Sequence, residues 1–253
     1  MNSLVNIFQE GLAAICPRTL MSNTATSGKF LKQISNVDNL YVIGFGKAAS
    51  GMTAGLLEQL ETIKAPEKVT LVIPHGSRET MKANQREDLI PKSSNYEIEI
   101  IEAAKNNLPD DQSAAGASKI LEICRNLGSK DGLLVCCSGK NCSARLYFPS
   151  WIHNSVQLCT THVLGGGSAC LSLPIDGISP NEKMEFIKYL TRQGATIEEL
   201  NSIRSQISKV KGGKLLEAAR KANFIHTFIL SGKDSILVTF LVAKMMTLCH
   251  QHH

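Results

Sequence analysis

The ten residues Tyr41–Ser50 limit the possible folds more than any other part of the chain. Their sequence, YVIGFGKAAS, is typical of a short apolar strand, a glycine turn and a helix opened by Lys47. Glycine lets main-chain N–H groups lie close to an anion, and a helix N-terminus carries the positive end of the helix dipole. A second segment of this kind runs from Gly165–Ser168 to Lys211–Lys214. Together the two segments indicate an α/β domain that handles phosphoryl groups.

Strand and helix patterns alternate along most of the chain. Apolar runs predict strands at 40–43, 69–73, 97–102, 133–137 and 224–230. Helical spacing and capping signals predict helices at 3–15, from 47 to about 60, 113–127, from Ser179 to Gly194, from Thr196 onward, and 214–222. This order predicts an α/β fold, a Rossmann-like three-layer domain with a mainly parallel sheet, over residues 1–231.

Composition excludes several classes of function. A net charge of +5 and 5% aromatic residues give little support to a nucleic-acid partner. We expect no membrane partner either, because no apolar stretch approaches the roughly 20 residues that span a bilayer. No secretory signal is visible, and the eight cysteines include no CxxC pair, so we expect reduced thiols in a cytoplasmic protein. A mitochondrial location stays open, and the sequence does not indicate an oligomeric state.

Each motif has an ordinary structural reading beside the functional one. Gly44–Lys47 lacks the spacing of a P-loop and does not complete a dinucleotide fingerprint, so it is either a tight turn or an anion site. A lysine near a helix N-terminus opposes the dipole, which favours a nearby anion. The glycines at 165–167 could form a flexible loop, and the lysines near Gly212 a solvated basic face. Asp110 and Asp111 could cap a helix, and Arg204 could pair with a neighbouring acid such as Glu199.

In this order the motifs resemble those of the class II glycerate kinases. The matching segments are 42–49, 74–76, 107–110, 165–169, 194–204, 208–213 and 229–231. The resemblance implies ATP-dependent phosphorylation of D-glycerate at the 2-hydroxyl, giving 2-phosphoglycerate, with ATP and Mg²⁺ as cofactors. It assigns an essential role to Lys47 and phosphate binding to Gly165, Gly166, Gly167 and Ser168.

The chemistry of the residues agrees with these roles. Phosphoryl transfer needs positive charge and positioning more than covalent help from the protein. Lys47 and Arg204 are therefore the predicted catalytic residues, Arg204 because its guanidinium fork suits a carboxylate or phosphate. Main-chain donors for the nucleotide are predicted at Gly44, Gly46, Lys211, Gly212 and Gly213. The sequence identifies neither a general base nor metal ligands.

The chain departs from the family pattern in two places. Residues 140–164, which hold Trp151, separate Gly139 from Gly165, and residues 232–253 replace the turn and the C-terminal domain expected after Ser231. Both departures begin with Gly-Lys, whose codons can resemble a splice donor. Our hypothesis is that both are translated intron or belong to an alternative isoform, which transcript sequencing tests. We expect Trp151 to be exposed and the segment to be cut first by protease.

These departures predict weak or absent glycerate kinase activity in this chain. The alternative is a non-catalytic isoform that binds at most nucleotide or a partner chain. A nucleotide-dependent oxidoreductase is a weaker alternative, because Pro74 and His75 stand where the second strand should end in an acid.

Overall fold

A six-stranded sheet forms the centre of the protein. The computed structural model describes residues 6–7, 10–11, 13–24, 28–139, 167–231 and 237–243. Within them the sheet order is β3-β2-β1-β4-β5-β6, and all neighbours are parallel except β5 and β6. The strands are β1 Asn39–Phe45, β2 Lys68–Pro74, β3 Glu97–Ala103, β4 Asp131–Gly139, β5 Phe224–Ser231 and β6 Leu237–Ala243.

The helices connect these strands and cover both faces of the sheet. They are α1 Pro17–Thr24, α2 Gly28–Ser35, α3 Ala49–Leu60, α4 Ser77–Ala83, α5 Asp111–Asn126, α6 Gly167–Cys170, α7 Pro180–Arg192, α8 Ile197–Gln206 and α9 Lys214–Ala218. Two short 3₁₀ turns, Glu87–Leu89 and Lys105–Asn107, flank β3. Of the predicted helix at 3–15, the described positions 6–7, 10–11 and 13–14 are helical, and Ile15 lies in a turn.

Two apolar clusters show which helices lie on which face. Side chains of α1, α2 and α3, among them Met21, Ile34 and Met52, pack with strand residues in one cluster. The other cluster joins strand residues to α5, α6 and α9, including Ile120 and Leu215. The predicted three-layer arrangement with a mainly parallel sheet is therefore confirmed.

The strand types follow from their sequences. The inner strands β1, β2 and β4 are continuous apolar runs because helices cover both of their faces. β3 forms an edge of the sheet and alternates Glu97 and Glu99 with isoleucines, which are only half-buried. All five strands predicted from the apolar runs are present, each longer than predicted by one to four residues in total.

Capping residues fix the starts of three helices. Asp110, Ser179 and Thr196 each accept a hydrogen bond from a backbone N–H of the first turn and complete a capping box. The Ser179 and Thr196 boxes were predicted from the sequence, and α7 ends at Arg192, two residues before Gly194. The prediction missed α1, α2 and α4, and α5 begins two residues earlier than predicted.

The strand β6 was also not predicted. It pairs antiparallel with β5, with Leu230 opposite Leu237 and Phe224 opposite Ala243. Its sequence, LVTFLVA, combines β-branched and aromatic residues, which favour a strand. Among the described helices, none has the length and apolar character needed to cross a membrane.

His226 on β5 makes stability depend on pH. It is 8% exposed, and burial lowers its pKa from 6.5 to about 4. The unfolded chain therefore binds a proton at a higher pH than the folded chain does, so stability is lost as the pH falls through this window. We expect the free energy of unfolding to fall by up to about 1.4 kcal/mol per pH unit between roughly pH 6.5 and 4.

Urea unfolding of the wild type and of His226→Gln across this range measures the effect. Because other groups also titrate, the informative quantity is the difference between the two proteins in the slope of unfolding free energy against pH. The variant should show a shallower loss of stability between pH 6 and 4.5. Parallel curves would show that His226 does not cause the dependence.

Candidate active site

The topology places one crevice at the carboxyl ends of β1 and β4. In a sheet of order 3-2-1-4-5, the connections from these two strands leave toward opposite faces, and ligands bind where they separate. β1 runs here into Gly46–Ala48, and β4 runs into Ser138 and Gly139. A hydrogen bond joins the two sides, because the backbone N–H of Ala48 donates to Ser138 Oγ at 2.8 Å.

The two glycines before Lys47 are required for different structural reasons. A Cβ atom on Gly44 would lie 2.6 Å from Leu71 Cδ2, so glycine is needed there for packing inside the sheet. Gly46 has a φ of +104°, and its N–H donates to the Val72 carbonyl at 3.0 Å. Gly46 therefore forms the turn that leads the chain out of β1. This agrees with the tight-turn interpretation of the motif.

Lys47 lies in the turn, exposed at the mouth of the crevice. The predicted position at the opening of a helix is wrong by two residues, because α3 begins at Ala49. Its N-cap residue, Ala48, offers no side chain to the N–H groups of the first turn. A helix N-terminus without a side-chain cap, next to an exposed lysine, is suited to bind a phosphate.

Helix α6, which begins within the predicted glycine loop, ends close to Lys47. Cys170, at the end of α6, is hydrogen-bonded to the backbone of Gly46. The charges of Asp110 and Lys47 also affect the pKa of its thiol. Its thiol is buried, and this burial raises its pKa to about 12. The fold therefore brings the β1 turn, the start of α5 and α6 together at one edge.

Part of the glycine loop lies outside the described residues. Gly165 and Gly166 are among the undescribed positions, as is the whole segment 140–164 with Trp151. Gly167 and Ser168 belong to α6, although their side-chain environment is not described. The predictions for exposure and proteolysis of the 140–164 segment therefore remain predictions.

Asp110 has a structural role in the described residues. Its carboxylate accepts hydrogen bonds from Ser113 N at 2.8 Å and from Lys105 N at 3.0 Å. Burial opposes its ionisation, but these hydrogen bonds outweigh burial and hold its pKa below the ordinary value. The helix-cap interpretation of Asp110 is thus confirmed. No group of three or more His, Cys, Asp or Glu side chains within the described part of the chain is arranged to bind a metal ion.

The second predicted motif forms a turn between α8 and α9. Gly212 and Gly213 have φ values of +65° and +83°, which favour glycine, and Gly213 is the N-cap of α9. Lys214 Nζ donates to the carbonyls of Ser205, Gln206 and Ser208, at 2.9, 3.2 and 2.6 Å. Lys214 therefore stabilises the C-terminal end of α8 instead of pointing freely into solvent.

The three lysines of this motif have separate environments. Lys209 pairs with Asp176. Lys211, in contrast, loses solvation on burial and is repelled by Lys183 and Arg204, which together lower its pKa to about 7. The alternative of a solvated basic face therefore does not hold for Lys211.

Arg204 does not pair with Glu199. Its Nη1 donates to Asn201 Oδ1 at 3.3 Å, while Glu199 is occupied by the capping box of α8. Burial lowers the pKa of Arg204. Arg204 lies in a second basic region with Lys183, Lys211 and Lys214, whose charges act on one another, whereas the charge of Lys47 acts on Cys170 near the β1 turn.

Lys183 is a residue that the sequence analysis missed. It is 7% exposed and is the single buried residue of α7. Burial, followed by repulsion from Lys214 and Arg204, lowers its pKa to about 8. A signal was available, because Lys183 lies in the first turns of a capped helix, where a positive charge opposes the dipole as it does near Lys47.

Fold and crevice together define the class of Rossmann-like α/β ligand-binding domains. The sequence profile of the family described as "Domain of unknown function (DUF4147)" matches residues 3–152 and 152–232. The chain belongs to this family.

Several curated relatives carry functional names. The chain is 32% identical over 230 residues to "Glycerate kinase" of Rattus norvegicus, covering 88% of the chain and 38% of the relative. It is 34% identical over 190 residues to "Glycerate kinase" of Danio rerio, covering 74% and 32%. A "Putative hydroxypyruvate reductase" of Agrobacterium vitis is 29% identical over 190 residues, covering 75% and 38%. The chain thus spans about a third to two-fifths of the length of these relatives, and the predicted resemblance to glycerate kinases is confirmed.

Two crystal structures share the fold. The PH0495 protein of Pyrococcus horikoshii OT3 superposes with a TM-score of 0.61 at 25% identity, covering 90% of this chain and 42% of that chain. The glycerate kinase of Thermotoga maritima gives a TM-score of 0.63 at 24% identity, covering 90% and 43%. At this identity, the second comparison supports the fold alone.

Proposed function

We propose that the chain belongs to an ATP-dependent kinase that phosphorylates D-glycerate at the 2-hydroxyl. The observation that carries the proposal is the exposed Lys47 beside the uncapped N-terminus of α3, at the carboxyl edge between β1 and β4. A phosphoryl group in this position would meet a positive side chain and main-chain donors together. The names of the rat and zebrafish relatives support glycerate as the substrate.

In this proposal Lys47 stabilises negative charge on the phosphoryl group during transfer, and the first turn of α3 orients it. Arg204 holds a carboxylate or phosphate in the second basic region. Bound ATP would supply the phosphoryl group. The described residues do not fit a Mg²⁺ site, since Asp110 is occupied as a helix cap and no carboxylate cluster is present among them. We therefore assign no step of the reaction to a metal ion. The cytoplasmic location of the protein stays a prediction.

Exposure of Lys47 also supports weak activity of this chain by itself. Catalytic electrostatics are strongest where water is excluded, and Lys47 is exposed to solvent. We expect ATP binding to be measurable, with turnover well below the roughly 1–100 per second of typical kinases. Formation of ADP and phosphoglycerate from Mg-ATP and D-glycerate, followed by ³¹P NMR, measures the rate and the hydroxyl that reacts. A rate in the typical range would overturn the expectation of weak activity and leave the kinase proposal intact.

The name of the relative from Agrobacterium vitis supports a reductase as the second candidate function. Glycerate and hydroxypyruvate share a three-carbon carboxylate, whereas the co-substrates of the two reactions differ. Thermal unfolding with Mg-ATP, NADH and NADPH separates the alternatives, because binding to the folded state raises the melting temperature. Stabilisation by NADH or NADPH but not by Mg-ATP would overturn the kinase proposal. Stabilisation by Mg-ATP without any turnover would support the non-catalytic alternative.

A further inference from the structure

Helix α7 is mostly exposed, yet one lysine of this helix is buried. Lys183 is 7% exposed, whereas apolar residues on the same helix, Phe186 and Tyr189, are 45% and 56% exposed. Its Nζ atom is buried and has no hydrogen-bond partner within the described part of the chain. An aliphatic lysine chain ordinarily covers apolar surface while its ammonium group stays in water. Lys183 therefore does not follow the usual behaviour of a lysine on a surface helix.

Three effects oppose a positive charge on Lys183. Burial removes water from the ammonium group, and the side chains of Lys214 and Arg204 repel it. The residue also lies in the first turns of α7, where the helix dipole disfavours a cation. None of the interactions that shift its pKa comes from a carboxylate. A small anion bound between these side chains would compensate all three effects at once.

We propose that Lys183 and Arg204 bind a small oxyanion, a carboxylate or a phosphate, where α7 and α8 contact each other. Arg204 is suited to this ligand. It has one described hydrogen bond, to the Asn201 amide oxygen, and its guanidinium carries further N–H donors. Lys214 Nζ donates to three backbone carbonyls, so Lys214 contributes positive charge to the site but no free hydrogen-bond donor. Lys211 is close enough for the charges of Lys183 and Arg204 to lower its pKa, so it belongs to the same basic region.

The two sources of such an anion are the carboxylate of glycerate and a phosphate of the nucleotide. Naming glycerate rests on the proposed function, whereas the oxyanion site itself does not. Direct binding measurements therefore distinguish failure of this proposal from failure of the kinase proposal. Isothermal titration of the whole chain with inorganic phosphate, D-glycerate and Mg-ATP separates the sources.

The first test compares Lys183→Met with Lys188→Met. Lys188 lies on the same helix but is exposed and pairs with Glu185, so it is a matched control. We expect Lys183→Met to weaken binding of at least one of the three ligands by tenfold or more at pH 7, and Lys188→Met to leave it unchanged. The melting temperature of ligand-free Lys183→Met should equal or exceed that of the wild type, because an unpaired buried charge is removed. Absence of binding by the wild type, or equal binding by the wild type and Lys183→Met, would overturn the proposal.

The second test uses the wild type and does not depend on folding of a variant. The charged groups that face Lys183 are Lys214, Arg204 and Lys211, all of them basic. An anion favours the charged form of Lys183, so binding near pH 8.5 should take up protons. Titrations in buffers with different ionisation enthalpies measure this uptake. Binding without proton uptake would show that Lys183 does not gain charge with the ligand and would overturn its assigned role.

Discussion

Replacing Lys47 by methionine should lower kcat/KM for glycerate phosphorylation about 100- to 1,000-fold, the size typical for losing one group that stabilises transition-state charge. The change removes the positive charge at the mouth of the crevice and keeps a side chain of similar length. Lys47 is exposed and lies outside α3, so the fold should be unaffected. Activity is best measured in the longest active form of the protein, by formation of ADP with Mg-ATP and D-glycerate.

Lys82→Met is the control for this experiment. Lys82 is exposed on α4, which follows β2 and not β1 or β4, and its replacement by methionine makes the same change of charge. Its activity should match the wild type, and both variants should unfold at the wild-type urea concentration. If Lys47→Met retained activity within a few-fold of the control, Lys47 would have no part in phosphoryl transfer.

Gly55→Ala should destabilise the fold by about 2–3 kcal/mol, near the upper end for overpacking a core. A Cβ atom at Gly55 would lie 2.2 Å from the carbonyl oxygen of Arg18 and 2.9 Å from its carbonyl carbon. These are backbone atoms of α1, so relief requires α1 to move away from α3. Such a shift would also disturb the ion pair between Arg18 and Glu58. The better helix propensity of alanine, worth up to about 1 kcal/mol, offsets part of this cost.

Gly51→Ala, one turn earlier on α3, is the matched control. Its Cβ atom would lie 3.1 Å from Leu89 Cδ2 and 3.3 Å from Pro17 Cβ, both side-chain atoms. Because these atoms can yield by a few tenths of an ångström, we expect a change within about 1 kcal/mol. Urea unfolding followed by circular dichroism measures both variants. Equal stability of the two would show that close contact with the α1 backbone is not what requires glycine at position 55.

The apolar pattern was sufficient to predict the parallel sheet. Strands β1 and β4 are buried on both faces, so their sequences are uninterrupted apolar runs that need no knowledge of tertiary contacts. The capping boxes at Ser179 and Thr196 are local hydrogen-bond patterns and were equally readable. Short helices such as α4, which has no buried residue, leave no comparable signal.

The candidate site was only partly predictable, because its chemistry depends on contacts between distant segments. The sequence identified Lys47 and Arg204 as basic residues near glycine turns, but not that Lys214 would bind three carbonyls at the end of α8. Burial of Lys183 likewise depends on how α7 packs against neighbouring residues. The dipole argument that drew attention to Lys47 applied equally to Lys183, so this residue could have been found.

The acidic residues of β3 have a consequence for self-association. An open strand at the edge of a sheet can template pairing with another molecule and lead to aggregation. β3 forms such an edge, and it carries Glu97, Glu99 and Glu102 in a strand of seven residues. Lys68 and Lys119 neutralise part of this charge from within the same molecule. Arg78 pairs with Glu102 in the same way. Two β3 edges that approached each other would have to desolvate these charged side chains, which disfavours edge-to-edge pairing on this side of the sheet.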